Sequence, residues 1–112
     1  MIVFHETFPA SYLLALAPTA ATTGETELEA HLARACRSGK PAVWVDCRLL
    51  DTLSAKAARL LLACQRRLHR RHARLVLYRV SDAVERALRC ALTGTGADLL
   101  IVATLDDAAA LA

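Results

Sequence analysis

Polar and apolar positions alternate from Ile2 to Phe8, and an apolar run follows from Tyr12 to Ala17. Both patterns predict strands, with Pro9 separating them and Ala10-Ser11 turning between. Pro18 closes this hairpin-like start. Thr22-x-x-Glu25 has the spacing of a capping box and predicts a helix that carries Leu28, Leu32 and Ala35 on one face, ended by Gly39 and Pro41. The run Ala42 to Val45, bounded by breakers, predicts a central strand buried on both faces. From Ser54 the period becomes helical: Ala57, Leu61, Cys64 and Leu68 form a stripe with Ala58 and Leu62 beside it, while Lys56, Arg59, Arg67 and Arg70 fall largely outside. Leu75 to Tyr78 predicts another strand. Ser81 with Asp82 and Glu85 opens a third helix whose Val84, Leu88 and Ala91 face inward. Thr93-Gly94-Thr95-Gly96 reads as a turn, Leu99 to Ala103 as the last strand, and Thr104 with Asp106 and Asp107 as the start of a brief terminal helix.

The predicted order is β-β-α-β-α-β-α-β-α. Strands alternating with helices imply right-handed crossovers and a mixed, mostly parallel sheet, with the first strand added as an edge. The expected fold class is therefore α/β, and the 112 residues make one domain, 1–112, that buries roughly two-thirds of its unfolded surface.

Charge and chemistry narrow the function classes. A net charge of +3 gives a weak overall field and little reason to expect nucleic acid or anionic lipid as the main partner. The longest apolar run is far short of a bilayer span, and the start, MIVFHETF, has no basic flank or cleavage-type signal, so no membrane insertion and a cytoplasmic location are expected. The four cysteines, Cys36, Cys47, Cys64 and Cys90, include no C-x-x-C pair and suit reduced core thiols better than a disulfide frame. No Walker loop or nucleophile-elbow motif is present, and His5 and His31 have no evident acid or nucleophile beside them, so no catalytic residue and no enzymatic activity are expected. His69 and His72 lie near Cys64, but neighbouring arginines would repel a cation, so no metal and no cofactor are assigned.

Three strings together resemble the STAS domain family, the bacterial anti-sigma factor antagonists and cytoplasmic tails of sulfate transporters. They are VDCRLLDTLSAKAARLLLA, ARLVLYRVSDAVERAL and LTGTGADLLIVATLDDAAALA. The resemblance covers about the whole chain and is carried by the order and spacing of the strings. The family's usual switch reads Asp-Ser-Ser-Gly-Leu at the start of a helix. Counting without gaps from Asp46 places Ser54-Ala55-Lys56-Ala57-Ala58 there, so Lys56 stands at the phosphoacceptor position. A gapped register starting at Asp51-Thr52 makes Leu53 the acceptor and disturbs the spacing to Leu61-Leu62. Neither register leaves a hydroxyl at that position.

Phosphate at a helix N-terminus meets free N–H groups and the positive end of the helix dipole, whereas Lys56 in the first turn opposes that dipole by roughly 0.3 to 1 kcal/mol. Lys56 is thus either a contact for an acidic partner or a solvated cation near Asp51. Ser54 reads first as a helix cap; Ser54 and Thr52 are the remaining candidate phosphosites. Asp46 ends a strand as a response-regulator acceptor would, yet the partner acids and lysine of magnesium-assisted transfer are missing. The basic run from Arg66 to Arg74 suits a helix C-terminus; its functional reading is docking of an acidic protein, phosphate or nucleic acid, the last being weakest without interleaved aromatics.

The resemblance implies a non-enzymatic protein-binding regulator in signalling and transcription. Its partner would be an anti-sigma factor or histidine-kinase-like ATPase, docked through Asp51, Thr52, Ser54, Lys56 and Arg59 without phosphorylation at the usual site. The alternatives are a small STAS subunit of a lipid-transporter complex, and a phosphoacceptor domain using Ser54 or Thr52.

Overall fold

The computed structural model describes residues 2–18, 24–93 and 100–102. Thr22 of the expected capping box, the turn glycines Gly94 and Gly96, Leu99, Ala103 and the expected terminal helix at Thr104, Asp106 and Asp107 lie outside these residues.

The elements in chain order are β1 (Ile2–Thr7), β2 (Ser11–Ala17), α1 (Gly24–Arg37), β3 (Ala42–Asp46), α2 (Ala55–Arg70), β4 (Arg74–Tyr78), α3 (Asp82–Leu92) and β5 (Leu100–Val102). The five strands form one sheet in the order β1-β2-β3-β4-β5. β1 is antiparallel to β2, and β2 to β5 are mutually parallel, so the expected α/β class and edge position of the first strand are both observed.

Because every parallel step moves the same way across the sheet, right-handed crossovers put all three helices on one face. The register shows which residues serve that face. Val3 lies opposite Leu16, Leu14 opposite Val45, Val43 opposite Leu75 and Val45 opposite Leu77. These side chains form one core with Leu28, Leu32 and Ala35 of α1, Ala57, Ala58, Leu61, Cys64 and Leu68 of α2, and Val84 and Leu88 of α3. α2 packs between α1 and α3. Its predicted stripe is buried at every position, including Leu62.

The opposite face differs. It carries Ile2 and Phe4 of β1, Leu13 and Ala15 of β2, Trp44 and Asp46 of β3, and Val76 and Tyr78 of β4. Ile2 and Phe4 are exposed and Trp44 is half-buried, so β3 is central in the sheet yet fully enclosed only on the helix side.

Local chemistry fixes the joints. Gly39 takes φ +76°, a left-handed conformation that glycine adopts without penalty, between the end of α1 and Pro41. Arg71 follows α2 and donates from Nη1 to the Lys40 carbonyl at 3.0 Å, tying the basic end of α2 to the entry of β3. On the outer strand β1, the Val3 N–H donates to the Glu27 carboxylate of α1 at 3.4 Å.

Candidate functional site

Parallel strands deliver their C-terminal ends, and the N-termini of the helices that follow, to one edge of the sheet, where open α/β folds place their binding sites. Here that edge holds the loop from Cys47 to Ser54, the first turns of α1 and α2, and the β4–α3 turn.

The loop is built from buried anchors and local hydrogen bonds. The Cys47 N–H donates to the Tyr78 carbonyl at 3.1 Å, extending the β3–β4 pairing, and the Leu50 N–H donates back to the Cys47 carbonyl at 3.0 Å to close a turn. Asp46 accepts the Arg48 N–H on Oδ1 at 2.9 Å, and its carboxylate lies near the Tyr78 hydroxyl. That is the work of a loop-organising carboxylate. Burial and the nearby Asp46 charge push the Tyr78 phenol up to about 12, and the same two causes push the Cys47 thiol up to about 12. Cys47, Leu50 and Leu53 are buried, which turns the intervening residues outward.

At the helix start, Ser54 is the N-cap of α2, its Oγ accepting the Ala57 N–H at 3.1 Å. The same hydroxyl donates to Oε1 of Glu25 in the first turn of α1 at 2.8 Å. That hydrogen bond, followed by a backbone hydrogen bond and the charge of Lys56, holds the Glu25 carboxyl below its ordinary value. Ser81 is the N-cap of α3, accepting the Val84 N–H, and its hydroxyl donates to the Asp51 carbonyl at 3.4 Å. Three helix N-termini are therefore laced to one loop.

Asp51, Thr52 and Ser54 lie on this loop and Lys56 and Arg59 in the opening turns of α2, all exposed. Sequence reasoning missed three contributors. Glu25 and Ser81 come from other helices, and Leu49, 51% exposed, is the large apolar side chain displayed on the loop. In a Leu-rich run Leu49 carries the signal of a core residue; only the turn at Cys47–Leu50 rotates it outward.

Elsewhere, two expectations change. Cys90 is exposed, so it is not a core thiol, and Cys36 is half-buried. His5 and His31 do have neighbours: their rings lie 5.3 Å apart, His5 stacks on Tyr12 at 6.0 Å, and His31 Nε2 sits 3.8 Å from Glu27 Oε1. His31 is buried with Nδ1 unpartnered among the described residues, and desolvation, then Arg34 and His5, lower its pKa. His69 and His72 are exposed while Cys64 is buried, and among the described residues no three potential ligands are grouped to hold a metal ion.

Comparison with known proteins places this architecture. A family profile described as "Mlab, STAS domain" matches residues 9–110. The chain belongs to the STAS family. Among curated proteins, none matches it in sequence. Solved structures similar to this STAS domain include an anti-sigma factor antagonist from Mycobacterium paratuberculosis, with TM-score 0.80 and 18% identity, covering 98% of this chain and 92% of that one. RsbS from Moorella thermoacetica, a serine-to-glutamate variant, has TM-score 0.75 and 16% identity, covering 93% of this chain and 88% of that one. The phosphorylated form of the Bacillus cell fate determinant SpoIIAA has TM-score 0.72 and 15% identity, covering 98% of each chain. These likenesses establish a shared fold. Among the described residues of this STAS domain, no helix is long and apolar enough to cross a membrane.

Proposed function

We propose that this STAS domain is a non-enzymatic regulatory module that docks a partner protein through the β3–α2 loop and the start of α2. The observation that carries the reading is Leu49: an exposed apolar side chain on a loop held down by Cys47, Leu50 and Leu53, with exposed Arg48 beside it in the chain and exposed Lys56 and Arg59 on the helix that follows. An apolar centre with a charged border on a pre-organised loop is the composition of a protein-docking surface.

The partner in this reading is an anti-sigma factor or a related histidine-kinase-like ATPase, the class suggested by solved neighbours that are themselves anti-sigma factor antagonists. Docking is set by abundance and partner state rather than by phosphorylation at the usual position. Lys56 offers no hydroxyl there, and the Ser54 hydroxyl is engaged on both sides, so a phosphate on it would face the Glu25 carboxylate. Thr52 is exposed and is the hydroxyl of this loop that a kinase could reach without breaking a cap.

A second reading, a small subunit docking the ATPase of a lipid-transport complex, is favoured by the family description, which names Mlab rather than an antagonist. Affinity capture from cells of origin, with wild-type, Leu49→Ser and Lys56→Glu chains, separates them. Recovery of a histidine-kinase-like ATPase that is lost with both variants supports the first reading. Recovery of transport subunits moves the assignment to the second. Partners that survive both substitutions place the docking surface elsewhere.

A further inference from the structure

Cys36 in the last turn of α1 and Cys64 in the middle of α2 point at each other across the helix pair, with Sγ atoms 3.3 Å apart. We propose that they form a redox modification site that closes to an intramolecular disulfide when the domain meets an oxidant of the disulfide class.

The geometry is nearly sufficient. A disulfide needs about 2 Å between sulfurs, so the remaining closure is roughly an ångström, within reach of small χ adjustments at two helical side chains. The two thiols are unequal in access. Cys36 is half-buried, whereas Cys64 is 3% exposed at the wall of a groove of about 180 Å³ that also includes Leu32, Ala33, Leu60 and Arg67. Cys36 is accordingly the first to react, and Cys64 the resolving thiol.

Arg71 caps the C-terminal end of α2, the helix that carries Cys64. Its Nη1 is engaged by the Lys40 carbonyl, but Nε and Nη2 are buried with no hydrogen-bond partner among the described residues. This guanidinium and that of Arg67 both favour the charged form of Cys64, against the burial and the Cys36 contact that raise its pKa. Burial and the Cys36 contact outweigh these two cations, so Cys64 is the slower thiol of the pair and its attack follows the mixed disulfide on Cys36.

The chemistry balances with glutathione disulfide as oxidant. The Cys36 thiolate attacks one sulfur of glutathione disulfide, breaking that S–S bond and releasing one glutathione thiolate. Cys64 loses its proton to the released thiolate or water and attacks the Cys36 sulfur, expelling the second glutathione. Two protein thiols are oxidised and one disulfide is reduced to two thiols.

The test treats the folded full-length chain with oxidised glutathione, followed by intact mass and non-reducing peptide mapping. The expected result is a chain lighter by two hydrogens with a Cys36–Cys64 cross-link, retained in Cys90→Ser, absent in Cys36→Ser and in Cys64→Ala, and reversed by dithiothreitol. Circular dichroism of the two variants establishes that they fold. The proposal is overturned if folded wild-type protein carries a stable glutathione adduct on Cys36, if both thiols stay free while Cys90 reacts, or if the cross-link forms only in denaturant.

Discussion

The Ser54 hydroxyl donates to the Glu25 carboxylate at 2.8 Å while it accepts the Ala57 N–H at 3.1 Å, so one small side chain joins the first turns of α1 and α2 across 29 residues of sequence. Its removal has a definite cost. Ser54→Ala strips the N-cap and should lower unfolding free energy by about 1 kcal/mol, read as a lower urea midpoint at unchanged m-value. Glu25 contributes stability that is present above 4.5 and fades as pH falls through its lowered value, so Glu25→Gln should flatten that part of the acid limb.

His31 predicts a second pH dependence. Its folded-state pKa lies below 6.5, so the unfolded chain binds more protons between the folded value and 6.5, and stability should decline as pH falls through that window. The groups facing it are His5, Glu27 and Arg34, with Tyr12 stacked behind His5. Urea midpoints measured between neutral and mildly acidic pH should show this slope in wild type and lose most of it in His31→Gln.

Thiol labelling should report the burial order. In native protein, iodoacetamide is expected to modify exposed Cys90 first and half-buried Cys36 next, and to leave Cys47 and Cys64 until unfolding. Cys47 combines full burial with a thiol pushed up to about 12, so its alkylation rate at neutral pH should track global opening. Early labelling of Cys47 would show that the β3–α2 loop opens locally.

Leu49 should separate binding from folding. Because it is exposed, Leu49→Ser should change stability by no more than about 0.5 kcal/mol, while a central apolar contact in an interface typically costs tenfold or more in affinity when truncated. Equal thermal melts with unequal partner capture is the expected pattern.

Arg79 follows β4 at φ 56°, at the same edge of the sheet as the loop from Cys47 to Ser54. A non-glycine residue pays to hold that conformation, so Arg79→Gly should raise stability by up to about 1 kcal/mol in urea titration. A fall instead would mean that the arginine side chain offsets its own backbone cost.

Much of this molecule was legible in local sequence. The stripe from Ala57 to Leu68 marked α2, and Ser54 and Ser81 marked helix starts, because each signal lies within a few residues of its effect. The contacts that define the site and the thiol pair were not legible. Glu25 meets Ser54, Ser81 meets Asp51, His5 meets His31 and Cys36 meets Cys64 only after helices pack on the sheet, and nothing in the intervening chain encodes that approach. Leu49 was hidden for the opposite reason: composition marks leucine as interior, and a single turn decides otherwise.

The Glu27 carboxylate on the Val3 amide has a bearing on what the sheet refuses. An outermost strand carries unpaired backbone groups that any extended peptide can zip onto, the usual beginning of runaway fibre growth. A fixed negative charge and a helix standing against that border make a stranger's backbone carbonyl unwelcome there. The domain can therefore end its sheet in a bordering strand without offering that amide to another chain.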